Sequence, residues 1–111
     1  MAISSILSTS LTGLQANTLR AHAAANNVVN ANTPRFSPSR AHTTSLVSER
    51  GIDGGGGVNV QIQATDGDVD LVTEFTQLIA AKTAYKASAQ LVRTAQQTGD
   101  ALLESVSKSG K

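Results

Sequence analysis

Few residues in this 111-residue chain are of types that do chemistry, and their spacing decides what they can do. His22 and His42 stand apart, with no Asp, Glu or Cys at ligand or triad spacing. Neither a metal site nor a nucleophile–base pair therefore has its second member. The stretch "DGDVD" places Asp66, Asp68 and Asp70 at the alternate positions of a calcium loop. Counted from Asp66, however, the sixth position is Leu71 where such a loop needs glycine, and the twelfth is Gln77 where it needs glutamate. Aspartates ahead of a helix have a simpler use as caps that favour its N-terminus. The run "GIDGGGG" lacks a following Gly-Lys-Ser/Thr and a strand–turn–helix setting, so it reads as a flexible turn and not a phosphate loop. No catalytic, cofactor-binding or metal-binding residue is expected, no small-molecule substrate is implied, and the chain does not read as an enzyme.

The other concentration of side-chain polarity is "NNVVNANTPRF", Asn26 to Phe36, with four asparagines and a Thr-Pro step. Pro34 disfavours helix at Thr33, and an asparagine can occupy the left-handed position of a helix C-cap. Asn27, Asn30 and Asn32 can each donate and accept hydrogen bonds to backbone of the turn or of a neighbouring subunit. The stretch reads either as a plain polar helix end or as a device that fixes where the chain goes next.

Three segments must position these residues. Residues 1–32 form an N-terminal helix, patterned from about Ser4 to Asn30, with Ile3, Leu7, Leu11 and Leu14 at steps of three or four. Gly13 interrupts it at a cost of roughly 1 kcal/mol relative to alanine, which a kink or a close backbone contact would explain. Residues 33–67 hold both prolines and most glycines. Within them "TTSLVSE" and "GVNVQIQAT" have strand character, with Val58, Val60, Ile62 and Ala64 alternating. They predict a short β-hairpin or an extended excursion, which alone is marginal in water and needs a helix or another subunit to lean on.

Residues 68–111 carry the clearest pattern. Leu71, Phe75, Leu78, Lys82, Tyr85, Ala89, Val92, Gln96, Gly99, Leu103 and Val106 step by four and three, an a/d heptad register. Forty residues of helix would span about 60 Å. The expected fold is mainly α: long terminal helices in an elongated antiparallel coiled-coil hairpin, with the short middle segment between them. Outer positions such as Thr73, Thr76, Gln77, Thr83, Ser88, Gln90, Thr94, Gln97 and Thr98 are short and neutral. A solvated coiled coil usually carries Glu and Lys there, so this helix suits packing on more than one neighbour.

Composition agrees. Apolar residues reach 40%, but alanine supplies much of that, and Phe36, Phe75 and Tyr85 are the only aromatics. The core payload is thin for one chain, and oligomerisation is a standard remedy. The free monomer is accordingly expected to be partly disordered, ordering on assembly. Charged residues are only 15% with a net charge of +1, which leaves no footprint for nucleic acid or an anionic membrane. There is no cysteine. No apolar run approaches the ~20 residues of a membrane span, so direct membrane insertion is not expected. The N-terminal "MAISSILSTSLTGL" lacks a basic start, so a cleaved signal peptide is not expected.

The two ends together resemble the rod, hook and hook-associated axial proteins of the bacterial flagellum. Their N-terminal signature joins Gly-Leu-x-Ala to an Ala-x-Asn-Ile-Ala-Asn-x-x-Thr-Pro-Gly-Phe/Tyr block. Gly13, Leu14 and Ala16 match the first part, and Asn27, Val28, Asn30, Asn32, Thr33, Pro34 and Phe36 the second. Val29 replaces the usual alanine and Arg35 the usual glycine. The C-terminal signature resembles Val69, Asp70, Leu71, Glu74, Ile79, Ala81, Ala84, Tyr85, Ala87 and Ala89, followed by Thr94, Ala95, Leu102 and Leu103. Here Ser88 replaces an asparagine and Gly99 stands where leucine is common. The two blocks cover roughly two thirds of the chain, and the short middle is most similar to small proximal rod proteins of the FlgC type.

The resemblance implies terminal helices paired near the axis of a tubular assembly, and a basal-body rod in the periplasm as the location. It implies export by the flagellar type III apparatus without a cleaved signal, and partners that are copies of the chain and other rod proteins. Leu78, Phe75, Tyr85 and Val92 are the expected anchors between subunits. The alternative from another class is a soluble helical-hairpin adaptor or regulator of flagellar or type III export.

Overall fold

The computed structural model describes residues 2–46 and 56–109, in the order α1 (Ala2–Val29), β1 (Ser39–Leu46), β2 (Gly57–Ala64) and α2 (Leu71–Ser109). The mainly α hairpin is therefore present, and the middle segment forms a two-stranded antiparallel sheet pairing Ser39 with Ala64 and Leu46 with Gly57. The end of "TTSLVSE" and Gly51, Gly54 and Gly55 lie outside the described residues.

Asp70 starts α2 as a cap. One of its carboxylate oxygens accepts the Val72 N–H at 3.1 Å and the other accepts the Thr73 hydroxyl at 3.0 Å, filling one of the open donors of the first turn. Asp66 and Asp68 are exposed. The two helices run antiparallel: Gly13 lies against Ser88, and Arg20 donates to Gln77 at 3.3 Å.

The sheet does not project outward. At its base Ser39 is tied to Asn27. At its tip the Thr9 hydroxyl donates to the Gly56 carbonyl at 2.8 Å, and the Thr12 hydroxyl accepts the Val58 N–H at 3.0 Å. From Thr9 to Asn27 the helix rises about 27 Å, and eight strand residues extend about 26 Å. The hairpin thus lies flat along α1, and that helix supplies the support a lone two-stranded sheet lacks.

What is buried is small or polar. Among the described residues the buried hydrophobic side chains are Ala16, Ala24, Ala81 and Ala95, with Ser10, Asn17, Asn27 and Glu74 buried beside them and Pro38 buried just ahead of β1. The molecule measures 70 × 27 × 15 Å. A helix with its side chains is about 10–12 Å across, so the thinnest dimension leaves little interior for large groups. Its radius of gyration is 18.7 Å, against about 13 Å for a compact domain of this length.

Candidate assembly surface

The seam between the helices is not the stripe that the heptad pattern suggested. On α2 the groups turned toward α1 include Glu74, Ala81, Ser88 and Ala95, seven residues apart, with Gln77 and Ala84 half-buried between them. Leu71, Phe75 and Tyr85 of the expected register are about half exposed, and Leu103 and Val106 are 71% and 68% exposed. Leu78 and Val92 are half-buried at the edge. The register is displaced because close approach of two helices selects small side chains at the contact. Gln77 and Ser88, expected on an outer face, belong to this inner one.

Gly13 marks the tightest point of that seam. A Cβ there would lie 2.9 Å from the Ser88 hydroxyl oxygen, so the glycine answers to a close contact between helices. Gly99 meets nothing within 4 Å. Its lack of a side chain serves no contact among the described residues.

The asparagines separate into distinct tasks. Asn27 is 0% exposed. Its amide nitrogen donates to the Ser39 carbonyl at 2.7 Å, and its amide oxygen accepts the Ser39 N–H at 2.9 Å. That pair of bonds is what a neighbouring strand would offer, so one side chain stands in for backbone and fixes where β1 begins. Asn30 donates to the Asn26 carbonyl at 2.9 Å and its oxygen accepts the Thr33 hydroxyl at 3.1 Å, closing the helix end on itself. Asn32 is exposed.

The turn after the helix is held by the Phe36 N–H, which donates to the Thr33 carbonyl at 3.3 Å. Pro34 supplies its first central residue, and Arg35 takes φ 62° at the second. Proline followed by a positive φ is the type II arrangement. Among the described residues Arg35 is the only non-glycine residue with positive φ, so no asparagine of the helix end occupies the left-handed cap position. The turn is kept with arginine where glycine would fit without strain.

Glu74 joins three elements. It is 2% exposed and accepts from Arg40 of β1 at 3.4 Å. Arg20, Ala24 and Ser39 close the same small space. The carboxylate thereby pins the foot of the sheet to both helices. The sequence marked Glu74 but gave no hint of Arg40, because a strand arginine reaches it only once the sheet has folded back.

The surface outside this seam is where the large apolar groups are. Ile6, Leu11, Leu19 and Val29 of α1, and Leu71, Val72, Phe75, Ile79, Tyr85, Leu91, Leu102, Leu103 and Val106 of α2, are all 43% exposed or more. Total accessible area is 8033 Å², against about 5,800 Å² for a compact monomer of this mass. The difference, about 2,200 Å², is on the scale buried by obligate protein interfaces. Along one edge a groove opens between the helices, lined by Thr18, Ala21, Leu78, Lys82, Tyr85 and Lys86. Among the described residues no cluster of three His, Asp or Glu side chains is placed to hold a metal ion. No helix described is long and apolar enough to cross a membrane.

Residues 68–105, which include most of α2 and its cap, match the family described as flagellar basal body rod FlgEFG protein C-terminal. The match covers about a third of the chain. The likeness is to the C-terminal segment of that family and singles out no one member. The comparison with curated proteins found no match.

Proposed function

We propose that this chain is a structural subunit of the bacterial flagellar rod, which assembles helically through its terminal helices and transmits torque along the axial shaft. One observation carries the reading: four alanines form the buried apolar core while the large apolar side chains lie outside. Large apolar side chains left outside along both helices, with only small ones buried, are what a partner would cover. Contacts that repeat head to tail without closing generate a filament, the geometry a rod needs. The rod-family match falls on α2, the element with most of the exposed apolar groups.

The short middle segment favours a proximal, FlgC-like position, because its described part is a sheet that lies along α1. Partners are copies of the chain and other rod proteins, reached after export by the flagellar type III apparatus. Asn27, Thr33 and Pro34 set the sheet on the helix pair. Leu14, Leu71, Phe75, Leu78, Tyr85 and Val92 make contacts between subunits. The test is to locate a tagged chain in purified basal bodies. Recovery in the rod fraction is expected, and a purely soluble cytoplasmic pool would overturn the assignment.

A further inference from the structure

The C-terminal end of α2 has no counterpart among the described residues of its own chain. With Gly13 against Ser88 and Arg20 against Gln77, antiparallel pairing brings the start of α1 level with about Gly99. Every residue from Asp100 to Ser109 is exposed. This overhang carries Leu102, Leu103 and Val106, 54%, 71% and 68% exposed. Asp100 and Glu104 lie one helical turn apart on it. Glu104 holds only an exposed i,i+4 pair with Lys108 at 2.8 Å, which another cation can replace at little cost.

The groove between α1 and α2 has the complementary character. It has room for about 560 Å³, its floor is Ala21, Leu78 and Tyr85, and Lys82 and Lys86 stand on its rim. No acidic residue lines it; His22 is the remaining titratable side chain there. The two lysines, like the two acids of the overhang, are four residues apart on a helix. Both pairs therefore present charge at the same spacing of about 6 Å. Leu78 and Leu103 are separated by about 37 Å along one helix, so the overhang cannot fill its own groove.

We propose that the groove receives the α2 overhang of a second copy of this chain, with its leucines on the apolar floor and Asp100 and Glu104 against Lys82 and Lys86. The proposal rests on the assembly reading above and names the two surfaces that meet. Donor and acceptor surfaces differ, so each added copy leaves one groove and one overhang open, and the contact propagates instead of closing.

The absence of cysteine makes cross-linking a clean test. In the double variant Ala21→Cys/Leu103→Cys the two sulfurs of one molecule lie far beyond the ~7 Å Cα separation a disulfide tolerates, so oxidation links different copies only. A ladder of disulfide-linked multimers is expected, at least ten-fold stronger than for Thr94→Cys/Leu103→Cys, whose first site is exposed and lies outside the groove. Adding Lys82→Glu/Lys86→Glu should abolish the ladder, and adding Asp100→Lys/Glu104→Lys to that variant should restore it, with the circular dichroism of dilute solutions the same for all variants. Equal ladders from both cysteine pairs, insensitivity to charge reversal, or linkage to a different protein in place of a second copy would each overturn the proposal. The same variant in purified basal bodies separates the two readings. Protein present in the rod without the 21–103 link sinks this contact alone, whereas a ladder in solution with no protein in the rod sinks the rod assignment alone.

Discussion

Asn27 and Asn30 have the same side chain three residues apart, yet the structure gives them unequal work. Asn27 is fully enclosed and satisfies both backbone groups of Ser39. Alanine there would strip the half-buried Ser39 N–H and C=O of these partners, a loss of about 1–2 kcal/mol for each. Asn27→Ala should therefore lower unfolding stability by about 2–4 kcal/mol. Asn30→Ala removes bonds made within a half-exposed helix end and should cost under about 1 kcal/mol. Urea titration of the two variants checks this, and equal midpoints would remove Asn27 from its positioning role. The asparagine cluster was legible in the sequence as a positioning device, but its decisive member was not. Which amide is enclosed depends on where β1 returns, and that is set by Thr9 and Thr12 some fifteen to eighteen residues earlier. Arg35 is a similar case: its sequence position marks the turn, and only the backbone shows that the positive φ is retained without glycine.

At the scale of the helices, two patterns share α2. The large-residue stripe beginning at Leu71 and Phe75 is the more conspicuous in sequence. The seam of Glu74, Ala81, Ser88 and Ala95 has the same seven-residue period but little hydrophobicity. Periodicity made both the helix and its hairpin partner legible. It could not say which stripe faces inward, because that choice depends on how close the backbones come. The two glycines report on this choice in opposite ways. Gly99→Ala adds a Cβ to open space and should stabilise the isolated hairpin by about 1 kcal/mol through helix propensity. Gly13→Ala brings the same propensity gain but meets the Ser88 oxygen at 2.9 Å, so its net effect should be neutral or unfavourable. Ser88→Ala removes that oxygen, and the double variant Gly13→Ala/Ser88→Ala should recover most of the gain. Thermal unfolding of the four variants forms a double-mutant cycle; additivity of Gly13→Ala and Ser88→Ala would show that no tight contact exists there.

At the scale of the molecule, shape and composition carry one meaning. A body 15 Å thick cannot enclose leucine and phenylalanine, whatever the order of its residues. Its apolar burial therefore depends on what lies alongside. The buried alanines each remove little area from water, while ordering the backbone costs about 1–2 kcal/mol for every residue fixed. Fixing sixty-seven helical residues against so small a core leaves the isolated hairpin marginal, and contacts between copies must supply the remainder. Helicity should consequently depend on concentration: low and gradually melting in dilute solution, rising with a sharper transition as copies associate. Circular dichroism across a dilution series, with sedimentation on the same samples, makes the comparison directly. Lys82→Glu/Lys86→Glu should flatten the concentration dependence while leaving the dilute spectrum unchanged, because those lysines line the groove and take no part in the α1–α2 seam. A cooperative melt independent of dilution would mean that four buried alanines and a buried Glu74–Arg40 pair suffice to hold the chain, and the exposed apolar faces would then need another explanation.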